Sequence, residues 1–306
     1  MPWTLVFEQL LNGVQLGVTL FLMAAGLTLV LGIMNLVNLA HGSLYMVGAY
    51  LTLAASQWTG SYAAGVVLGL AGTLLVGMLV EVVTLRALYD RDHLDQVLAT
   101  FGLILFFNEL VAMLWGRASL YAQLPQYLRG HIELFSGSSY PLYRAAIIVV
   151  GLVTAAILWY VVTRTRLGML VRAGASNRTM VSALGVNIRL LYTVVFGFGA
   201  ALAGLAGLMA GPIYNVQPGM GEAVLIQVFV VIVIGGIGSI RGALVGAVIV
   251  GIVDTLGRAF LKPLMATIIS APAAESAGPA LASMLIYLLM AVVLAIRPQG
   301  LFPARG

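Results

Sequence analysis

Long apolar runs separated by short polar turns set the pattern of the chain. Residues Gln9 to Val80 include no Asp, Glu, Lys or Arg. Because a membrane-spanning helix needs about 20 mostly apolar residues, this stretch alone predicts three spans. The whole pattern predicts spans at about 11–34, 38–57, 62–85, 97–116, 145–163, 190–210 and 281–296, with two short helical pieces at about 223–235 and 242–257. We therefore expect an all-α polytopic membrane protein with about eight or nine transmembrane helices, some short or broken.

Composition points to the same fold class. Of the 306 residues, 61% are hydrophobic and 8% are charged, whereas soluble domains carry roughly 25% charged residues. So few charges exclude a water-soluble fold of this size, and we expect residues 1–306 to form a single transmembrane domain. The absence of cysteine excludes disulfides and thiol chemistry. The N-terminal run has no basic flank and exceeds the ~7–15 residues of a signal-peptide core, so we expect it to be retained as the first span.

Two polar connections give the chain a predicted orientation. The connection at about 117–144 has Pro, Gly and Ser breakers and a strand-like centre, and the one at about 164–189 is far longer than the ~2–8 residues usual between bundled helices. Cytoplasmic loops collect Lys and Arg, which predicts that 164–189 is cytoplasmic, 117–144 periplasmic and the N-terminus outside. The predicted cytoplasmic basic residues are Arg86, Arg91, Arg164, Arg166, Arg172, Arg178, Arg189, Arg241, Arg297 and Arg305, against Arg117, Arg129, Arg144, Arg258 and Lys262 on the other side.

A polar segment, MNLVNLAHGSLYMVGAY (34–50), lies within the longest uncharged run. Its glycines and polar side chains predict a break between two helical pieces, and broken helices at membrane depth often line transport pathways. The alternative is that these side chains lock helix packing through hydrogen bonds. The candidate pathway residues here are Asn35, Asn38, His41, Ser43 and Tyr45.

Two further segments interrupt the apolar pattern. GPIYNVQPGMGE (211–222) is unsuited to an ordinary helix, and GGIGSIRG (235–242) carries four glycines in eight residues. The second has neither the lysine of a phosphate-binding loop nor the G-x-S-x-G pattern of a nucleophile elbow. We interpret it as a sharp helix break, with Gly236, Gly238 and Ser239 as candidate pathway residues.

Three acidic residues fall inside apolar runs, where carboxylates are functional candidates. Glu81 and Asp254 lie near predicted span ends, so solvation is the simpler expectation. Glu109 lies deeper, which favours either a pathway or coupling role or a buried acid that is hydrogen-bonded or protonated.

The centre of the cytoplasmic connection predicts a short amphipathic helix. Ser176 or Asn177 is the candidate N-cap and Gly185 the candidate C-cap, with apolar residues spaced for one helix face. Such a helix suits either lipid headgroups or the groove of another protein. The residues assigned to this element are Arg172, Ser176, Asn177, Met180, Val181, Leu184 and Gly185.

Four motifs together resemble one known family. They are GLTLVLGIMNLVNLAHGSLYMVGAY (26–50), close to an NFAHG signature with Leu39 for Phe; RLGMLVRAGASNRTMVSALGVNI (166–188); GGIGSIRGALVGA (235–247), with Arg241 where many members have Pro; and RPQGLF (297–302). These motifs are similar to those of LivH-like permease subunits of ABC importers for branched-chain amino acids, and the resemblance covers essentially the whole chain.

The resemblance implies a set of partners and a location. It implies a second, LivM-like permease, two LivG/LivF-like ATPases docked on the amphipathic helix, a periplasmic binding protein, and a bacterial inner membrane. ATP and Mg²⁺ would be used by the ATPases, with no cofactor or metal bound by this chain and no nucleic acid involved. Branched-chain amino acids are the expected cargo, with urea, amides and aromatic or other carboxylic acids as alternatives.

Two other classes of function stay open at this point. An ion-coupled secondary transporter would use Glu109 or Asp254, although the long amphipathic connection argues against it. An intramembrane enzyme would need His41 with Ser43 or Ser239, and no nucleophile motif supports one. We therefore expect no catalytic residue in this chain.

Overall fold

The computed structural model of the chain describes residues 3–135 and 138–302, and almost all of its regular structure is helical. The helices are α1 (Trp3–Met34), α2 (His41–Thr59), α3 (Tyr62–Val83), α4 (His93–Trp115), α5 (Leu142–Arg164), α6 (Arg166–Ser176), α7 (Arg178–Ala183), α8 (Ile188–Tyr214), α9 (Met220–Gly235), α10 (Ile240–Met265) and α11 (Ala271–Ile296). The strand-like centre predicted for the outer connection is confirmed as an antiparallel hairpin of β1 (His131–Phe135) and β2 (Ser138–Pro141). Arg305, assigned above to the cytoplasmic side, lies outside the described residues.

Seven helices in the described part of the chain are long and apolar enough to cross a membrane, namely α1, α3, α4, α5, α8, α10 and α11. Helix α9 is a shorter apolar helix, and α2 has 19 residues. The predicted all-α polytopic membrane fold is therefore confirmed. Helix α10 is longer than predicted, because the charged residues that ended the predicted span are paired: Arg258 bonds to Asp254 at 2.8 Å and Lys262 to Glu275 at 3.2 Å.

The chain folds into two compact units. One holds the described residues of 22–125 and 153–226, and the other those of 1–21, 126–152 and 227–304. Within the first unit, α2, α3 and α8 pack against one another. Small residues permit the close approach: a Cβ on Gly48 would collide with the backbone of Gly204, and one on Gly207 with the carbonyl of Tyr45.

The second unit is built on α10, which packs against α11 and the first half of α1. A Cβ on Gly17 would lie 2.7 Å from the carbonyl oxygen of Ala247, so only glycine fits this crossing. Nearer the start of α1, Arg144 donates to the Asn12 side chain at 2.5 Å. The first half of α1 is thereby held at two positions along its length.

Local sequence explains where the helices begin. Ser61, Asn187 and Ser239 are side-chain N-caps, accepting from the backbone N–H three residues on in α3, α8 and α10. Gly60 ends α2 in the left-handed conformation, with φ of 66°. These caps produce the sharp turns that separate consecutive apolar helices.

Candidate functional site: two helix breaks that meet inside the membrane

The first break separates α1 from α2 within the polar segment, as predicted. Helix α1 ends at Met34 and α2 begins at His41, and Asn35 takes a positive φ of 50°. The Asn38 side chain is fully buried and its Oδ1 accepts from the backbone N–H of Ala40 at 3.0 Å. The buried amide thus replaces part of the helical hydrogen bonding that the break gives up.

His41 opens α2 from a fully buried position. Its Nε2 lies 3.2 Å from the carbonyl oxygen of Met23, and since a carbonyl only accepts, Nε2 is the donor of this bond. No described protein atom bonds to Nδ1 of His41 or to Nδ2 of Asn38. Two neighbouring buried side chains therefore retain unused hydrogen-bonding capacity, whereas buried polar groups are normally satisfied. Ser43 and Tyr45 are also buried.

The second break lies between α8 and α9, in the segment expected to disfavour a helix. Asn215 and Gly219 have positive φ of 63° and 81°. Between them the chain is extended: Val216 exchanges two backbone hydrogen bonds with Leu120, at 2.8 and 2.9 Å, and Gln217 accepts from Ser119 at 2.8 Å. The connection after α4 therefore satisfies backbone groups that a continuous helix would have satisfied internally.

Asn108 of α4 ties this second break to the body of the unit. Its Oδ1 accepts from the N–H of Gly219 at 3.2 Å, and its Nδ2 donates to Oε1 of Glu222 at 2.5 Å. Glu222 lies in the first turn of α9 and is exposed. One amide thus holds both the turn and the carboxylate that follows it.

The two breaks contact each other through glycines. A Cβ on Gly42 would lie 2.7 Å from the carbonyl oxygen of Gly221 and 3.3 Å from Cβ of Leu225. A Cβ on Gly221 would lie even closer to the carbonyl oxygen of Gly42. The starts of α2 and α9 therefore touch backbone to backbone, which brings the His41 segment and the Glu222 segment to one place.

The sequence pointed to Glu109, but its neighbour carries the contacts. The expectation of a buried acid at Glu109 is wrong, because its side chain is 63% exposed and pairs with Arg117 at 2.7 Å. A pathway role for Glu109 stays a prediction. Asn108 and Glu222 were missed because neither an amide in a span nor an acid after a glycine turn has a distinctive pattern. The non-helical segment before Glu222 was the available signal.

Glu81 is also placed differently from the expectation. Solvation was predicted, but the side chain is fully buried and surrounded by donors. Arg86 bonds it through Nε at 3.3 Å and Nη2 at 3.1 Å, Thr193 donates at 2.6 Å, and the Tyr89 hydroxyl also donates. Asp254 is likewise buried, with Oδ2 bonded to Arg258. Both carboxylates are therefore paired rather than solvated, and Asp254 lies in the interior of α10 rather than near its end.

The glycine-rich break belongs to the other compact unit. Gly236 and Gly238 have φ of 105° and 81°, and Ser239 accepts from the N–H of Gly242 at 3.0 Å to cap α10. The C-terminal RPQGLF segment closes the preceding helix end, because the N–H groups of residues 301 and 302 donate to the last carbonyls of α9 at 2.8 and 2.9 Å. The structure gives these three residues a turn and cap geometry, and their pathway role stays a prediction.

The long connection predicted to be cytoplasmic, at about 164–189, folds into α6 and α7. Asn177, rather than Ser176, is the N-cap of α7 and accepts from the Met180 N–H at 2.9 Å, while Gly185 follows with φ of 88°. Val181 is buried, whereas Met180 is 59% and Leu184 77% exposed. The amphipathic helix is thus anchored by one apolar residue and presents two others.

Two further contacts link this element to neighbouring segments. Arg172 of α6 donates to the backbone carbonyl of Val162 at the end of α5. Arg178 at the start of α7 pairs with Asp90 at 3.7 Å, next to the turn that carries Arg86. The element is therefore joined to the ends of two spans.

A small cavity opens between α2, α3 and the end of α8. Its volume is about 30 Å³, and Thr52, Ser56 and Pro212 are among its lining residues. This is about the share of one liquid water, so the cavity is too small to hold an amino acid. Within residues 3–135 and 138–302 no group of three His, Asp or Glu side chains is arranged to hold a metal ion.

These features define a class of protein: a polytopic membrane subunit with broken helices at membrane depth and an anchored amphipathic helix beside its spans. The chain belongs to the family described as "Branched-chain amino acid transport system / permease component", whose model matches residues 9–294. The resemblance found in the motifs is therefore confirmed, and the chain is a transport permease subunit.

Individual relatives agree with the family. The chain is 31% identical to the high-affinity branched-chain amino acid transport system permease protein LivH of Escherichia coli K12, over 96% of this chain and 94% of LivH. It is 30% identical to BraD of Pseudomonas aeruginosa over the same shares. The ribose import permease protein RbsC of Escherichia coli is 26% identical over 76% of this chain and 72% of RbsC. No solved structure gives a significant match.

Proposed function

We propose that this chain forms part of the translocation path of an ATP-driven importer for branched-chain amino acids in a bacterial inner membrane. A second, homologous permease completes the path, two ATPase subunits hydrolyse ATP with Mg²⁺, and a periplasmic binding protein delivers the cargo. The names of LivH and BraD support the amino-acid cargo, and their identities exceed that of the ribose permease.

The observation that carries the proposal is the build of α7. A helix of six residues is too short to be stable alone, yet it is capped by Asn177 and anchored through Val181. It nevertheless exposes Met180 and Leu184 one turn apart on the same face. Met180 and Leu184 together form an apolar protrusion, which we call the knob. Such a protrusion suits insertion into an apolar groove of a soluble partner, and we assign that partner as the ATPase.

The test is to place a charge on the knob. Met180→Asp and Leu184→Asp in the reconstituted complex should lower ATP-driven amino-acid uptake at least about tenfold, since a buried carboxylate in an apolar groove is strongly disfavoured. Ser182→Asp is the matched control, because Ser182 is exposed on the opposite face of α7, and it should retain uptake. Co-purification of the ATPases reports docking directly.

Undiminished uptake and ATPase retention in both knob variants would contradict the docking assignment. Loss in Ser182→Asp as well would show a general intolerance of charge rather than a specific groove.

A further inference from the structure

Glu222 is an exposed carboxylate whose contacts place it at the depth of the membrane-spanning helices. Asn108, to which it bonds, is seven residues before the end of α4 at Trp115, about 10 Å along the helix. The adjoining Gly221 contacts Gly42, beside His41. That histidine bonds to Met23, eleven residues or about 16 Å before the end of α1. Both measures place the carboxylate away from the ends of α1 and α4.

Within residues 3–135 and 138–302, no cation pairs with this carboxylate. Other acids take the ion pairs of Arg86, Arg117, Arg178, Arg258 and Lys262. Asn108 occupies Oε1, and no described protein donor bonds to Oε2. By contrast, the buried Glu81 is matched by a guanidinium and two hydroxyls. The fold therefore pairs Glu81 with a cation and leaves one carboxylate oxygen of Glu222 available for another hydrogen-bond donor.

An exposed carboxylate at this depth is incompatible with a lipid-facing position. Charged side chains in the hydrocarbon region face a bundle interior or a watery cavity. The extended segment at 215–219 obeys the same constraint, since non-helical backbone at membrane depth is tolerated only inside protein or along a cavity. Two independent features of one segment thus point to the same water-accessible surface.

The neighbouring amide makes the carboxylate a positioned ligand rather than a loose charge. The 2.5 Å bond from Asn108 fixes Oε1, and the same amide holds the N–H of Gly219 at 3.2 Å. A fixed carboxylate with one free oxygen on such a surface favours a cationic hydrogen-bond donor, and an ammonium group meets that description.

We propose that Glu222, positioned by Asn108, binds the α-ammonium group of the amino-acid cargo as it passes the junction of the two helix breaks. The assignment rests on the proposed function and adds a specificity-determining residue to it. A lysine of the second permease is the other source of an ammonium group, and the experiment separates the two.

The first arm measures transport in proteoliposomes with the complete complex. Glu222→Gln keeps the acceptor for Asn108 and removes only the charge, so leucine uptake should fall roughly tenfold, the weight of one charge-assisted hydrogen bond. Glu222→Asp keeps the charge and should retain more uptake than Glu222→Gln. Equal uptake by wild type and Glu222→Gln would overturn the proposal.

The second arm uses the absence of cysteine in this chain. Glu222→Cys should react with a membrane-impermeant cationic methanethiosulfonate reagent, and leucine with its binding protein and ATP should slow the reaction. Phe106→Cys, on the exposed apolar surface of α4, is the lipid-facing control and should not react. An unreactive Glu222→Cys would overturn the proposal and favour a lysine of the second permease.

Failure of the proposed function gives a different result. In that case the wild-type complex would take up no leucine, while Glu222→Cys would still react with the reagent.

Discussion

At the residue scale, the structure treats its intramembrane acids in opposite ways. Glu81 is fully buried and holds Arg86, Thr193 and Tyr89 around one carboxylate. Burial and the hydrogen bond to Glu81 raise the pKa of the Tyr89 phenol well above its usual range, so the hydroxyl remains a donor at any physiological pH. The group joins the end of α3 to α8 and acts as a structural lock, whereas Glu222 has no such partners.

The lock predicts a stability effect at Glu81. Glu81→Gln removes the charge that Arg86 and the two hydroxyls were arranged around and should cost about 1–3 kcal/mol. The measurement is thermal unfolding of the complex in detergent. Asp90→Asn is the control, because Asp90 is 92% exposed in its pair with Arg178 and exposed pairs contribute about 0–1 kcal/mol. Equal melting temperatures for Glu81→Gln and wild type would contradict the lock.

At the scale of elements, the breaks between helices carry the architecture of the candidate site. The starts of α2 and α9 approach so closely that neither Gly42 nor Gly221 has room for a side chain. The backbone just before each helix is bonded by an asparagine side chain: Asn38 accepts from the N–H of Ala40 before α2, and Asn108 accepts from the N–H of Gly219 before α9. The junction is therefore formed by the first residues of α2 and α9 rather than by the sides of these helices.

The junction predicts the effect of one added methyl group. Gly42→Ala places a Cβ 2.7 Å from the carbonyl oxygen of Gly221 and should destabilise the protein by about 1–3 kcal/mol, as overpacked cores do. Gly102→Ala is the matched control, because this helical glycine has nothing within 4 Å of a Cβ, and it should be neutral or slightly stabilising. A Gly42→Ala protein with wild-type stability and uptake would show that the junction opens easily.

The sequence predicted the helices and their breaks. Hydropathy indicates which segments suit a lipid environment, and glycine indicates where the backbone can leave the helical conformation. The same signals do not indicate which distant segments of the chain contact one another. The contact of Gly42 with Gly221 and the pairing of Asn108 with Glu222 join segments more than 100 residues apart, so no local pattern encodes them. Hydropathy alone placed Glu109 deep in a span. The turn after α4 brings Arg117 back to Glu109, and hydropathy does not predict that contact.

At the scale of the whole molecule, this chain is an incomplete transporter. In helices α4, α5 and α11, only 22%, 17% and 11% of an 18-residue apolar stretch is buried within the chain. Large surfaces are therefore left for lipid and a second permease. The cavity beside α2 has the volume of about one water. A path wide enough for an amino acid is therefore expected only in the assembled complex, with α7 as its contact to the ATPases.

The most direct test of this account is uptake by the reconstituted complex. Proteoliposomes containing this chain, the second permease and both ATPases should accumulate radiolabelled leucine when the binding protein is outside the vesicles and ATP is at the ATPase face. An ATPase variant unable to hydrolyse ATP should abolish accumulation. Leucine accumulation that persists with the disabled ATPases and follows an ion gradient would contradict the account.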